Sequence, residues 1–234
     1  MKSYLKHLAV AVIAAASLSA SATTYTDSTG DILAGPPGIL DITSVEVNNT
    51  ATDLVFKINL NGDPVATDWG KYMIGLDTIP AFGDAAGNGW SRPIGMSSGM
   101  DYWAGTWVDS GNGAEMRNWN GAAWGLQSAT YGANPDAISI SKNTSSVTIQ
   151  FKYAGLSLSP GSTFCFDVYT SAGGGGDGAI DALGNPTQTI ANWGDYYNSG
   201  SQYVTYTIPA VPEPTSLAML GLGATLLIGH MRRR

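Results

Sequence analysis

Apolar and polar residues alternate with a period of two in several short stretches of the chain. Leu54, Phe56, Ile58 and Leu60 share one parity, with Lys57 and Asn59 on the other. Val147, Ile149, Phe151 and Tyr153 alternate with Thr148, Gln150 and Lys152, and Phe164, Phe166 and Val168 alternate with Cys165, Asp167 and Tyr169. Successive strand side chains point to opposite faces, so each stretch predicts a half-buried β-strand. Tyr203 to Ile208 predicts a last strand. Leu40 and Ile42 differ in parity from Val45 and Val47, which predicts a β-bulge or break around Thr43-Ser44. Asn61-Gly62, Gly161 and the run Gly173 to Gly176 supply turns or loops. Between residues 23 and 210 there is no long run of Leu, Glu, Lys and Ala at helical spacing. The pattern predicts an all-β domain over 23–210, a β-sandwich of the jelly-roll or a related type.

The two ends of the chain follow a different pattern. Lys2 and Lys6 precede an apolar run from Leu8 to Leu18, and Ala20-Ser21-Ala22 follows with small residues at the cleavage positions. This predicts a cleavable signal peptide over 1–22, with Thr23 as the first mature residue. At the other end, Pro212, Glu213 and Pro214 punctuate the chain, because prolines on both sides of a glutamate exclude a helix interior. Leu217 to Met231 is then apolar except for Thr225 and His230, and Arg232, Arg233 and Arg234 close the chain. Arginines at one end of an apolar helix stay on the cytoplasmic side, which places everything before Pro212 outside the cytoplasm. Fifteen residues span about 22 Å of helix at ~1.5 Å per residue, against a hydrocarbon core of ~30 Å. Such a short transmembrane helix suits a temporary anchor.

Val211-Pro-Glu-Pro214, the apolar run and the terminal arginines together resemble the PEP-CTERM sorting signal of Gram-negative bacteria that make extracellular polysaccharide. The resemblance covers residues 211–234. It implies recognition by an exosortase, transient anchoring in the inner membrane, removal of the tail, and delivery to the outer surface or the extracellular matrix.

Charge and composition narrow the chemistry of the domain. Residues 23–210 hold 17 Asp or Glu and 6 Lys or Arg, a net charge of −11. The whole-chain value of −7 is less negative because the remaining basic residues sit in the two ends. An acidic domain is a poor partner for nucleic acid. Cys165 is the only cysteine, so there is no internal disulfide, and its place in Phe164-Cys-Phe166 predicts a small buried residue. Both histidines, His7 and His230, lie in the ends. The domain therefore has no His-based nucleophile system and no His-ligated zinc. A carboxylate pair could hydrolyse glycosides, but no pattern singles out two of the 17 acids. The domain is expected not to be an enzyme, and no catalytic residues are assigned.

Two constellations remain. All seven tryptophans lie in the domain, and Trp90, Trp103, Trp107, Trp119 and Trp124 fall close together among Gly, Asn, Ser and Asp. Trp103 and Trp107 share strand parity. Indole faces flanked by small polar residues make platforms for pyranose rings. Trp90, Trp103, Trp107 and Trp124 are the candidate sugar-binding residues, with inter-sheet core packing as their alternative role. The second constellation is acidic loops. Asp27-Ser-Thr-Gly-Asp31 and Asp177-Gly-Ala-Ile-Asp181 carry spaced carboxylates of the kind calcium uses. Asp27, Asp31, Asp177 and Asp181 are the candidate ligands of a structural calcium, with solvated turns as the alternative.

Asp27-Ser-Thr-Gly-Asp31, Leu40-Asp-Ile42, Val45-Glu-Val47, the stretch Asp53 to Ile58, the stretch Trp69 to Ile74, and Asp77 together resemble the opening of DOMON-like sandwiches. These include family 9 carbohydrate-binding modules and the C-terminal domain of glucodextranase-type enzymes. The resemblance implies sugar clamped between tryptophans and a structural calcium. The Gly- and Asn-rich stretch 109–136 has no counterpart in it. The expectation is an exported sandwich that associates with extracellular polysaccharide. The competing classes are a structural matrix protein without specific sugar binding and a small polysaccharide-acting enzyme.

Overall fold

The structure, a computed structural model, describes residues 22–209. The predicted leader and the tail with Pro212, Glu213, Pro214 and Arg232 to Arg234 lie outside the described residues, apart from Ala22 at the end of the leader. The strands are β1 (Thr23–Thr26), β2 (Ile42–Asn49), β3 (Asp53–Leu60), β4 (Lys71–Asp77), β5 (Ile94–Gly95), β6 (Tyr102–Trp107), β7 (Gly113–Trp119), β8 (Trp124–Ala129), β9 (Ile138–Lys142), β10 (Ser146–Lys152), β11 (Thr163–Ser171), β12 (Asp181–Ala182), β13 (Tyr197–Asn198) and β14 (Val204–Thr207). Three short 3-10 turns and no α-helix occur among the described residues.

Two antiparallel sheets carry the fold. The first runs β1-β2-β3-β10-β9, and the second runs β12-β11-β4-β6-β7-β8. β14 lies beside β12 on the same edge of β11, pairing Thr163 to Phe166 while β12 pairs Tyr169 and Thr170. The expected alternation is present in β2, β3 and β10, whose Val45, Val47, Phe56, Ile58, Val147 and Ile149 are buried against Ile74, Leu76, Phe164 and Phe166 of the second sheet. Phe56 stacks on Phe151 at 5.5 Å and meets Phe166 of the opposite sheet edge-on at 5.2 Å. Each such side chain withdrawn from water contributes about 1.5–3 kcal/mol. The β2–β3 register shifts between Ile42 and Ser44, so Ile42 and Val45 can both face the core.

The two sheets differ on their outer faces. That of the first sheet is polar, with Glu46 directly opposite Lys57 and their side chains 2.9 Å apart. The second sheet carries a second apolar layer on its outside. Met73, Trp103 and Tyr169 pack there against Ile94, Met96 and Met100 from the segment before β6, and against Ile180, Ile190 and Tyr197 from the segment after β11. Simple alternation therefore fails in β4 and β6, where nearly every residue is buried. Strands covered on both faces read as continuous apolar runs. Stretch 109–136 folds as the β7–β8 hairpin and widens this sheet. Cys165 points to the outer face and is partly exposed, not buried as expected, because β14 covers the strand edge and leaves that face open.

Candidate functional site

The outer face of the second sheet gathers the tryptophans. Trp103, Gly105 and Trp107 of β6 face outward opposite Arg117, Glu115 and Gly113 of β7. Two glycines make room for rings. A Cβ at Gly105 would collide with the Trp90 indole, and one at Gly113 would collide with Trp107. The rings form a continuous row. Tyr169 stacks on Trp103 at 5.9 Å, Trp103 meets Trp90 at 6.4 Å, Trp90 meets Trp107 at 6.4 Å, and Trp107 meets Tyr131 at 5.9 Å. Such pairs stabilise by roughly 0.5–1.5 kcal/mol beyond their burial.

The row runs from the interior to the surface. Trp103 is fully buried, so it is core and offers no platform. Trp103 packs with residues of both covering segments, whereas Trp107, four residues on, meets only Trp90 and Tyr131 among the rings. Trp90, Trp107 and Trp124 are half-buried, and Tyr131 is 61% exposed. Trp124 pairs with Trp119 across the hairpin at 5.7 Å and donates its indole N–H to Asp84 at 3.0 Å. Phe82 and Leu126 add exposed apolar surface to the same face.

Glu115 fixes this arrangement. Its carboxylate accepts from Trp90 Nε1 at 3.2 Å, from Arg117 Nε at 2.7 Å and from the Tyr131 hydroxyl. Burial pushes the Glu115 carboxyl up, but the three donors more than offset it and hold it below the usual range. Arg92 lies 5.6 Å over the Trp90 ring and donates to Ser171 Oγ and to the carbonyls of Ala172 and Asp177. Both arginines of this face are thus spent on internal partners. Beside Trp107 and Tyr131 opens a groove of about 540 Å³, lined also by Asn112, Thr130, Asp136 and Ser139. It offers two rings, an amide, two hydroxyls and one carboxylate, and no cationic side chain. A separate, more apolar cavity of about 540 Å³ opens between β8 and the turn after β10, among Met116, Phe151 and Leu156.

The acidic candidates divide. Asp31, Asp41 and Asp181 each place a carboxylate oxygen within 4.8 Å of the others, and Asp27 joins them electrostatically. Asp177 stands apart, accepting from the Gly174 amide at 2.7 Å within its own turn. Asp41 and Asp181 are buried, while Asp27 and Asp31 are partly so. Asp181 accepts from the Ile42 amide at 2.6 Å, and Asp41 accepts from the Gly30 amide and from Asn61 Nδ2. Burial, reinforced by the neighbouring carboxylates, pushes the Asp181 carboxyl up to about 8 and that of Asp27 up to about 7. Like charges ~4–5 Å apart repel by roughly 3–4 kcal/mol at an effective dielectric of ~20. Arrangements of this kind hold a proton or a cation. The donor set, all hard carboxylate oxygen, fits calcium.

Asp41, Glu115, Tyr131 and the exposed Trp193 and Tyr196 are absent from the sequence-derived candidates. Asp41 lies in a strand-like Leu-Asp-Ile context, and Glu115 in a stretch read as insert. Tyr131 did carry a usable signal, an aromatic ring within Thr130-Tyr-Gly-Ala-Asn134.

A family model for the PEP-CTERM protein-sorting motif matches residues 210–234. The chain thus carries the sorting motif of an exported protein that an exosortase processes at the cell surface. No curated protein matches the chain.

Proposed function

We propose that the domain associates with extracellular polysaccharide through the outer face of its second sheet, as a binding module and not as an enzyme. In this proposal the tail holds the precursor in the inner membrane of a Gram-negative cell until exosortase removes it, and the domain then reaches the exopolysaccharide. The observation that carries the proposal is the half-exposed pair Trp107 and Tyr131 beside a groove of amide, hydroxyl and carboxylate groups. A pyranose ring stacks its C–H face on such rings while its hydroxyls meet the polar lining. Trp90 and Glu115 hold the platform in place from below, and Trp119 and Trp124 extend the surface along the hairpin.

The test is retention on immobilised exopolysaccharide from the producing cells. Tyr131→Ala should weaken retention at least tenfold while shifting the melting temperature little, since the ring is 61% exposed. Trp103→Ala should instead destabilise the fold by ~3–5 kcal/mol, as a buried ring does. Retention unchanged by Tyr131→Ala and by Trp124→Ala would sink the proposal and favour a matrix protein without specific sugar binding.

A further inference from the structure

We propose that the cavity between β8 and the turn after β10 binds a small uncharged phenolic molecule, an aromatic body carrying one hydroxyl donor. The proposal does not rest on glycan binding, which uses the outer face of the second sheet. The cavity lies at one side of the sandwich, where β8 ends the second sheet and β9 ends the first. Its apolar walls are Met116 of β7, Phe151 of β10 and Leu156, all buried members of the inter-sheet core. The 3-10 turns Pro135–Ala137 and Tyr153–Leu156 flank it. Its volume of about 540 Å³ falls within the range of ~300–1,000 Å³ usual for small-molecule sites.

A β-bulge brings polar groups into this apolar space. Leu126 pairs with Arg117 and Ser128 pairs with Met116, so Gln127 is the extra residue and has no partner across the ladder. Bulges re-aim side chains and recur beside functional sites. Gln127 and Ser128 both line the cavity. Ser128 is only 3% exposed, and its hydroxyl makes no hydrogen bond among the described residues. Gln127 donates from Nε2 to the Gly155 carbonyl at 2.8 Å, which fixes the amide and leaves Oε1 buried without a partner. Buried polar atoms are ordinarily paired, because an unsatisfied one loses its hydration for nothing. Here two such atoms stand on adjacent residues, at a bulge, in one cavity. A ligand supplies the missing partner.

The lining defines that ligand. The Gln127 oxygen only accepts, so the ligand must donate, and the Ser128 hydroxyl can give a proton to the same ligand oxygen. One hydroxyl group satisfies both. The Met116 thioether and the Phe151 ring favour an aromatic body over an aliphatic one. The charged lining residues, Asp136 and Lys152, are both exposed and of opposite sign, so they mark a rim without net charge. A charged ligand would lose its hydration inside and find no counter-ion there.

Calorimetric titration of the full-length protein in detergent, with the detergent alone as blank, tests this with three matched probes. 2-Naphthol carries the rings and the donor, 2-methoxynaphthalene lacks the donor, and 2-naphthoate adds a charge. Saturable one-to-one binding of 2-naphthol is expected, at least tenfold tighter than either of the others. Ser128→Leu puts a side chain into the cavity. It should weaken 2-naphthol at least tenfold and melt no lower than the wild type. Ser128→Ala should weaken 2-naphthol several-fold and leave 2-methoxynaphthalene unchanged. Ala154→Trp plugs the cavity from an exposed position and serves if Ser128→Leu does not fold. Trp124→Ala, on the outer face, should bind 2-naphthol as the wild type does. No saturable binding of 2-naphthol, equal binding of 2-methoxynaphthalene, or full binding in Ser128→Leu (in Ala154→Trp, should the first not fold) would each overturn the site. Binding lost in Trp124→Ala would place the probe on the outer aromatic row and overturn it as well.

Discussion

Asp167 shows how much a single side chain can cost and still be kept. It is fully buried under the segment that follows β11, where it accepts from the Gly184 amide at 2.9 Å, from its neighbour Val168 at 2.8 Å and from the Ser199 hydroxyl. Ser199 in turn meets the Tyr169 hydroxyl at 2.8 Å, so the carboxyl ties the covering segment to the aromatic row. Burial pushes its pKa from 3.8 up to about 7, and the three donors only partly oppose this. The folded chain therefore binds a proton here that the unfolded chain releases between about pH 4 and pH 7. Stability supplied by this group is present in full below pH ~4 and is lost as pH rises towards 7. The charges of Asp27 and the Tyr169 and Tyr197 hydroxyls face the same region, and Asp27 and Asp181 titrate with the same sign. Asp167→Asn in metal-free buffer should flatten the fall in stability between pH 4 and 7 and raise stability at pH 8. Urea melts at pH 4.5, 6 and 8 measure it. A slope identical to wild type would mean that the carboxyl titrates normally.

At the scale of elements, legibility followed water. β3 and β10 face solvent on one side and core on the other, so their period of two was plain in the residues. The parity break at Thr43-Ser44 was equally plain and is a register shift. β4 and β6 have apolar layers on both sides, and their composition no longer says which face is which. The β7–β8 hairpin was hidden for a different reason. Its Gly and Asn are poor strand formers by composition, yet Gly113 of β7, like Gly105 of β6, is a seat for an indole ring, Trp107 and Trp90 respectively. The same limit applied to the site. Shared parity put Trp103 and Trp107 on one face, but which was covered depended on segments distant in sequence. Asp27, Asp31 and Asp181 were visible as acids in loops, whereas the place of Asp41 beside them follows from bonds distant in sequence, from the Gly30 amide and Asn61 to Asp41 and from the Ile42 amide to Asp181. The seat at Gly105 can be tested. Gly105→Ala should displace the Trp90 ring, break its bond to Glu115 and cost about 1–3 kcal/mol, the usual range for overpacking. A red-shifted tryptophan emission with a lower melting temperature is expected. Unchanged emission would show that Trp90 is not seated there.

For the whole molecule, the junction between domain and tail matters most. β14 ends at Thr207 and is fixed along β11 by four residue pairs, Thr163 to Thr207 through Phe166 to Val204. Ile208 is buried, and the Pro209 carbonyl accepts from Asn49 Nδ2 at 3.3 Å. The sorting motif begins at residue 210. The matched motif follows directly on Pro209, the last described residue, so a cut near Pro212 to Pro214 leaves every strand contact of the described residues in place. Processing should therefore change location and charge without changing the fold. The mature domain would lose the basic residues of both ends and carry the full −11 of its 17 acids and 6 bases, which favours a dispersed, non-aggregating surface protein. Mass spectrometry of cell-surface material should find Thr23 at one end and no peptide from Leu217 to Arg234 at the other. In an exosortase-deficient strain the intact tail should persist in the membrane fraction. The detergent-solubilised precursor and the released form should melt together at equal calcium. An intact tail on surface material would sink the processing step, and a released form that melts well below the precursor would show that the cut falls inside β14.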